Sequence, residues 1–319
     1  MFSAIPEPEA GIRDFNYEGR MKMENTITVK DLNVKLNGFE LKDINLDIPK
    51  GVVAGLIGRN GAGKTTFINT LTDVYIPAAG SIMYGDTELS KEPEKAKAKV
   101  GVVYDSLFYP PVYKAEKIAK IVAPFYKDFD MDKWHSYMDK FGLDSRKQVG
   151  QYSKGMQMKF MLSMVLARNA EILILDEPTA GMDPAARAEL MDMIQEFMME
   201  NEDRTVLFST HITSDLDKIA DYIVLMKNGR VVLTEEKDEL MLHYGVMQVE
   251  KDKMTPELMG KMIGVKENEF GYMGLTKYAE FFEGRSDVKV RRAIIEDLLI
   301  YEDDKGDAQG GENDRNPYM

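Results

Sequence analysis

The chain has 319 residues, of which 44% are hydrophobic and 30% are charged, and its formal net charge is -13. This composition is ordinary for a folded protein with a sizeable core, so disorder is not expected. The excess of acidic residues argues against general nucleic-acid binding, which needs basic side chains along a surface. We therefore expect no nucleic-acid partner.

The chain contains no cysteine, which excludes disulfides and thiolate metal sites. No apolar run approaches the roughly 18 residues of a membrane-spanning helix. The N-terminus also lacks the basic start and apolar centre of a secretory signal. We therefore expect a cytoplasmic protein.

Residues 1–24 lack periodicity and are predicted to form a flexible leader. From residue 25 onward, apolar runs and alternating patterns predict short strands, and helical patterns lie between several of them. The predicted strands are TITVKDLN (26–33), LKDINLDI (41–48), GVVAGLI (51–57), SIMY (81–84), VGVVY (100–104), EILILD (171–176), TVLFST (205–210), DYIVLM (221–226) and RVVLT (230–234). Strands that alternate with helices indicate an α/β fold with a mostly parallel sheet, whose ligands bind at the carboxyl ends of the strands.

Two regions depart from this alternation. Residues 106–170 carry helical patterns without a strong strand, which predicts a helical insertion. Residues 244–302 show a mixed pattern, which predicts a small α+β appendage, and the acidic, glycine-rich residues 303–319 are expected to form a disordered tail.

The segment GRNGAGKT (58–65) matches the phosphate-loop pattern G-x-x-x-x-G-K-[ST], between a predicted buried strand and a predicted helix. Its glycines let the backbone wrap closely round a polyphosphate, so that N–H groups and the helix N-terminus face the anion. We expect Lys64 to contact the β and γ phosphates, the Thr65 hydroxyl to bind Mg²⁺, and Thr66 to donate to an outer phosphate. The predicted nucleotide-binding residues of the loop are Gly58, Arg59, Asn60, Gly61, Ala62, Gly63, Lys64, Thr65 and Thr66.

The segment ILILDEPTAGMD (172–183) predicts a second buried strand that ends in two carboxylates. Asp176 can reach the Mg²⁺ held by Thr65, directly or through water. Glu177 can orient and partly deprotonate the attacking water, a role that contributes about two to four orders of magnitude in rate. An acidic cap at a strand end is the alternative interpretation.

The segment LFSTHITSDLD (207–217) places His211 directly after a third buried strand. An isolated histidine in that position is commonly a polar loop residue. Three neighbouring strands would here end in a phosphate loop, a carboxylate pair and an imidazole, and we therefore expect His211 to sense the γ phosphate.

The order of these motifs resembles that of the ATP-binding-cassette (ABC) ATPase family, over about residues 25–235. The resemblance implies a P-loop NTPase domain at residues 25–240 with a mostly parallel core sheet, an antiparallel β part and a helical subdomain at about residues 106–170. It also implies a head-to-tail dimer that holds two ATP molecules at its interface. Because every catalytic motif is present in one chain, a homodimer is permitted.

The signature motif of that family, L-S-G-G-Q in its commonest form, falls on YSKGM (152–156). The two positions that contact phosphate in the family, Ser153 and Gly155, are intact, so the resemblance implies that they bind the ATP of the partner subunit. The residues themselves agree, because Ser153 is a suitable N-cap for a helix whose positive end could face a phosphate. Met182 and Asp183 match the family's D-loop, which crosses to the opposite site.

Two positions depart from the family pattern. The Q-loop glutamine is replaced by Asp105, which can offer oxygen to Mg²⁺ but cannot donate a hydrogen bond. We expect Asp105 to keep the coupling role and to alter Mg²⁺ dependence. The adenine-stacking tyrosine falls on Leu36, and Phe39 is the predicted substitute, with simple core packing of Phe39 as the alternative.

The resemblance implies an ATP-hydrolysing subunit of an exporter-type ABC transporter, peripheral on the inner face of the cell membrane and docked to a separate multi-spanning permease. The aromatic and proline-rich residues from Asp105 to Tyr126 would form the docking surface, or a loop folded back on the core. The C-terminal IIEDLLIY is similar to the ending of bacterial exporter subunits. A soluble non-transport ABC ATPase, either regulatory or associated with translation or DNA, is the alternative. A P-loop GTPase or kinase would have no use for the signature stretch.

Overall fold

The computed structural model describes residues 24–301, and the predicted acidic tail and nearly all of the predicted leader lie outside the described residues. The strands are β1 (Asn25–Leu36), β2 (Phe39–Pro49), β3 (Val53–Ile57), β4 (Ala79–Tyr84), β5 (Thr87–Glu88), β6 (Val100–Val103), β7 (Ile172–Asp176), β8 (Thr205–Thr210), β9 (Tyr222–Lys227), β10 (Arg230–Glu236), β11 (Gly245–Val249), β12 (Ile263–Asn268), β13 (Gly271–Thr276) and β14 (Lys289–Arg292). The α-helices are α1 (Lys64–Leu71), α2 (Pro93–Lys99), α3 (Ala115–Val122), α4 (Met131–Lys140), α5 (Lys154–Leu166), α6 (Pro184–Met199), α7 (Thr213–Ile219), α8 (Lys237–His243), α9 (Pro256–Gly260), α10 (Ala279–Phe282) and α11 (Ile295–Tyr301). In this described part of the chain, no helix is both long enough and apolar enough to cross a membrane.

A six-stranded sheet in the order β10-β9-β3-β8-β7-β6 forms the centre of the fold. All its neighbouring pairs are parallel except β9 and β10. Every residue of β3, β7 and β8 is buried, as expected for parallel strands covered on both faces. The predicted mostly parallel core sheet is therefore confirmed, and its strand order brings the carboxyl ends of β3, β8 and β7 side by side.

The two faces of the central sheet pack against different layers. Because side chains alternate along a strand, Ala54 and Leu56 of β3 join one apolar cluster while Val53 and Ile57 join another. The first cluster fills the space between the central sheet and the antiparallel sheet β2-β1-β4-β5, together with α1. The second cluster contains residues from most of the helices. The central sheet is therefore covered by an antiparallel sheet on one face and by a layer of helices on the other.

The chain between β6 and β7 is helical. It contains α3, α4 and α5 and short 3-10 turns at Ala123–Phe125 and Val149–Gln151. Asp130 caps α4 by accepting hydrogen bonds from two backbone N–H groups of its first turn, and Trp134 of that helix is fully buried. The helical content predicted for residues 106–170 is confirmed; that this segment acts as a separate subdomain stays a prediction.

The C-terminal part is a four-stranded antiparallel sheet in the order β12-β13-β11-β14 with the helices α9, α10 and α11. The predicted α+β character is therefore confirmed. One face of this sheet has its own small apolar cluster, which includes Met247, Leu258 and Phe282. The other face joins the main core through α11, which packs against α7.

Candidate nucleotide site

The phosphate loop connects the buried strand β3 to α1, which begins at Lys64, so the predicted order of strand, loop and helix is confirmed. Gly63 has φ 110°, a left-handed conformation that favours glycine, and a Cβ added there would lie 2.9 Å from both Phe39 Cζ and Leu41 Cδ2. A Cβ added at Gly58 would lie 2.5 Å from the carbonyl oxygen of Met226. Glycine at these two positions therefore lets the loop pack tightly against β2 and β9.

The Lys64 side chain joins the loop to the end of β7. Its Nζ donates a hydrogen bond of 2.7 Å to the Gly58 carbonyl and lies 3.3 Å from Glu177 Oε1. The Lys64 side chain is only 7% exposed, so this cation is held in a site with little solvent screening. The predicted phosphate-contacting lysine and the predicted base are thus neighbours.

Ser209 of β8 connects both predicted carboxylates, although no sequence motif indicated it. Its hydroxyl donates to Asp176 Oδ1 at 2.6 Å and accepts a hydrogen bond from the Glu177 N–H at 3.0 Å. Asp176 and Ser209 are register partners in the parallel pair β7–β8. Glu177 has φ 47°, so its backbone is in the strained left-handed conformation. The hydrogen bond from its N–H to Ser209 helps to stabilise that conformation.

Asp176 is a buried carboxylate, 4% exposed. Burial raises its pKa above the ordinary value and the negative charges of Glu177 and Asp105 raise it further, whereas hydrogen bonds from Ser209 and Thr65 oppose the shift. A buried carboxylate beside a hydroxyl is a donor set that suits Mg²⁺, which prefers oxygen ligands. Thr65, Asp176 and Asp105 are therefore residues that could hold the metal.

His211 contacts the other oxygen of the predicted base. Its Nδ1 lies 2.6 Å from Glu177 Oε2, and its backbone N–H donates to the same oxygen at 3.3 Å. Glu177 consequently lies between the ammonium of Lys64 and the imidazole of His211. Because the His211 side chain is half exposed, the imidazole also has an open side.

Ser153 and Gly155 lie at the start of α5, away from these contacts. The Ser153 hydroxyl accepts the N–H of Met156 at 3.3 Å, which confirms the predicted N-cap. A Cβ at Gly155 would lie 3.5 Å from Met182 Cε, so the start of this helix packs against the predicted D-loop. Within residues 24–301, no hydrogen bond or ion pair joins Ser153 or Gly155 to the phosphate loop.

Asp105 and Phe39 lie at the two margins of the site. Asp105 is exposed just beyond the end of β6 and close enough to Asp176 for its charge to affect that carboxyl. Phe39 is half-buried against the antiparallel cluster and contacts Gly63 of the loop. Packing of Phe39 against the phosphate loop is thus observed, and its stacking on adenine stays a prediction.

Comparisons with known proteins agree with the resemblance that the motifs carry. The family profile described as "ABC transporter" matches residues 41–180. The chain is similar to the lantibiotic transport ATP-binding protein SrtF of Streptococcus pyogenes, with 34% identity over 203 residues that cover 62% of this chain and 85% of SrtF. It is also 32% identical over 227 residues to the bacitracin transport ATP-binding protein BcrA of Enterococcus faecalis, covering 70% of this chain and 72% of BcrA.

Solved structures show the same similarity. A structure described as the ATP-binding subunit of an ABC transporter matches with a TM-score of 0.62 and 25% identity, over 68% of this chain and 92% of that chain. CbiO1 of Clostridium perfringens, part of the ABC transporter complex CbiONQ, matches with a TM-score of 0.58 and 26% identity, over 69% of this chain and 91% of its own. The predicted P-loop fold is confirmed by these neighbours.

Proposed function

Because this chain belongs to the ABC transporter family, as an ATP-binding subunit, we propose that it hydrolyses ATP to ADP and phosphate and thereby drives export through a separate membrane permease. The observation that carries this proposal is the contact of Glu177 with both Lys64 and His211 at the carboxyl edge of the central sheet. A phosphate-binding cation, a carboxylate and an imidazole in one group suit hydrolysis of a terminal phosphate.

In the proposed reaction, the backbone N–H groups of residues 58–66 and the Lys64 ammonium hold the phosphates. Glu177 accepts a proton from the attacking water, whose oxygen bonds to the γ phosphorus as the bond to the β–γ bridging oxygen breaks. His211 holds the Glu177 carboxylate in position and faces the γ phosphate. Mg²⁺, when bound by Thr65, Asp176 and Asp105, would neutralise charge that develops on the phosphates.

The proposal includes a head-to-tail dimer. Ser153 and Gly155 lie at the N-terminus of α5, and a Cβ added at Gly155 would lie next to Ala186 and Met182, beside the D-loop. A helix N-terminus capped by serine suits binding of phosphate, so these residues are available for the ATP of a second subunit. ATP binding would close the dimer and hydrolysis would reopen it. Since one chain carries every motif, we propose a homodimer.

We further propose that the chain is cytoplasmic and peripheral on the inner face of the membrane, where it docks to the permease. Large apolar side chains are exposed on the predicted docking surface, defined as residues 105–126, and they are Phe108, Val112, Tyr113, Ile121 and Phe125. Exposed apolar side chains concentrated in one short segment of the chain suit a protein interface. A role in transport is supported by the similarity to proteins named for lantibiotic and bacitracin transport. The export direction that we propose rests on the resemblance of the C-terminal IIEDLLIY to the ending of exporter subunits.

Glu177→Gln tests the proposed reaction. The variant should retain ATP binding, lose about two to four orders of magnitude in hydrolysis, and elute as a dimer in ATP, because closure no longer ends in hydrolysis. Glu116→Gln is a matched control, since Glu116 contacts His135 at 2.9 Å in the helical layer as Glu177 contacts His211; it should hydrolyse ATP normally. Wild-type hydrolysis by Glu177→Gln would contradict the role of Glu177, and a monomer in ATP would contradict the dimer.

A further inference from the structure

An ion pair joins the first turns of α6 and α7. An Nη atom of Arg187 in α6 donates to Oδ1 of Asp215 in α7, and the same guanidinium lies 3.5 Å from the Ser214 hydroxyl. The Asp215 side chain is 3% exposed and that of Arg187 is one quarter exposed. The pair is therefore a largely buried contact between two helices, made by residues that are 28 positions apart in the chain.

This ion pair is poorly explained by stability alone. Burying two charges carries a large desolvation penalty, which the attraction between them offsets only when the remaining polar atoms are also satisfied. Oδ2 of Asp215 is buried, and among residues 24–301 it has no hydrogen-bond partner. A pair of apolar side chains could fill the same space without this penalty. The charged pair provides instead one defined geometry between its two helices.

Each of the two helices directly follows a loop with a predicted role in hydrolysis, the D-loop before α6 and the loop of His211 before α7. The N-cap of α6 is Asp183, which directly follows Met182 of the D-loop. The Met182 side chain packs against the start of α5 at Gly155. α7 begins two residues after His211, whose Nδ1 contacts Glu177 at 2.6 Å. Arg187 lies four residues after Asp183 of the D-loop, and Asp215 lies four residues after His211. The ion pair therefore links the D-loop to the loop of the imidazole.

We propose that Arg187 and Asp215 are positioning residues, which hold the loop of His211 so that its imidazole stays against Glu177 and is linked to the D-loop. The inference rests on the hydrolytic roles proposed for Glu177 and His211. Neither residue touches the reacting atoms, so each acts through His211. A change in the pair should therefore affect turnover more than ATP affinity.

The test replaces both partners by apolar residues, as Arg187→Met combined with Asp215→Leu. Because neither charge is left alone, the melting temperature should stay close to that of the wild type. We expect kcat to fall about tenfold, with KM for ATP changed by less than about twofold. Full kcat in the folded double variant would overturn the proposal.

A spectroscopic readout separates positioning from a general loss of structure. The chain has only three histidines, so selective ¹⁵N labelling gives a simple imidazole spectrum. The double variant should lose the signal of the His211 Nδ1 hydrogen bond, while His135, which contacts Glu116, keeps its signal as an internal control. An unchanged His211 signal would also overturn the proposal.

Two further variants make the result decisive. If the double variant does not fold, Arg187→Lys keeps the charge but lacks the planar guanidinium; it should lower kcat and weaken the His211 signal, and wild-type values for both would overturn the proposal. Glu177→Gln separates this inference from the proposed function. An active Glu177→Gln would contradict the proposed base itself, whereas an inactive Glu177→Gln beside a fully active double variant would contradict only the ion pair.

Discussion

At the level of single residues, Ser209 shows how one buried hydroxyl organises a site. It donates to the carboxylate of Asp176 and accepts the N–H of Glu177, whose backbone is in a left-handed conformation. Without the hydroxyl, Asp176 would lose one of the two hydrogen bonds that oppose the effect of burial on its pKa. The strained turn at Glu177 would lose one of the two hydrogen bonds between its N–H and Ser209.

Ser209→Ala should therefore impair both stability and function. Leaving these buried groups without their partner costs about 1–3 kcal/mol, and loss of a contact behind a metal-binding carboxylate lowers metal affinity or activity about 10–100-fold. Thermal unfolding and Mg²⁺-dependent ATPase assays measure the two effects. Ser163→Ala is the control, because the Ser163 hydroxyl is equally buried but donates to Phe160 within α5. Equal ATPase rates in the two variants would contradict this role of Ser209.

Asp176→Asn should separate stability from binding. Burial and the neighbouring acidic groups raise the pKa of Asp176, so its charge is unfavourable in the nucleotide-free fold. Asparagine keeps the acceptor for Ser209 but removes the charge, and the melting temperature without nucleotide should rise by a few degrees. Mg²⁺-dependent ATP binding, measured by calorimetry, should weaken at least about tenfold. A lower melting temperature would show that the charge is well compensated.

At the level of elements, a series of aromatic contacts connects the predicted docking surface to α5, the helix that begins in the predicted signature motif. Phe108, which is half exposed, contacts Tyr109 with ring centroids 4.3 Å apart, and Tyr109 contacts Phe160 of α5 at 5.6 Å. Phe160 in turn contacts Tyr152 at 6.2 Å, next to Ser153. A partner bound at Phe108 would therefore press on a continuous group of rings that ends at the predicted phosphate-binding helix.

Phe125→Asp tests the docking surface. Phe125 follows α3 and is 81% exposed, so the change should leave the fold and the basal ATPase rate unchanged. Binding of the permease in detergent, and any stimulation of ATPase by it, should be lost, because a charge would be buried at an apolar interface. Met199→Asp, at an equally exposed position on α6, is the control and should bind normally. Equal permease binding by both variants would contradict docking at residues 105–126.

At the level of the whole molecule, the C-terminal sheet shares the main core. Leu216 of α7, Leu275 of β13 and Leu298 of α11 belong to one apolar cluster that continues to the central sheet. Because α7 follows His211, the packing of α11 supports the same helix that positions the imidazole. One face of the C-terminal sheet thus belongs to the main apolar core, whereas the cluster around Leu258 is separate.

Leu298→Ala should consequently affect ATP hydrolysis as well as stability. Both Leu298 and Leu258 are buried, so replacing either by alanine should lower the free energy of unfolding by about 2–5 kcal/mol. Only Leu298→Ala should also lower kcat, since α11 packs on α7. Urea unfolding and ATPase rates of the two variants give the comparison. Equal rates would mean that the C-terminal part does not support the site.

Some features of this protein depend on residues that are neighbours in the chain. The apolar runs of β3, β7 and β8, the phosphate-loop glycines and the N-cap at Ser153 involve residues within a few positions of each other, so local patterns were sufficient to predict them. The same reasoning predicted that β3, β7 and β8 end at one edge, because parallel strands share their direction.

Which side chains meet across that edge depends instead on the packing of the folded chain. Ser209 contacts Asp176 over 33 residues, and Arg187 contacts Asp215 over 28. Both contacts depend on strand order, register and helix packing, which no local pattern encodes. The contact between α11 and α7 is of the same kind. These contacts follow from the packing of whole elements, since burial of apolar faces determines where each polar side chain lies.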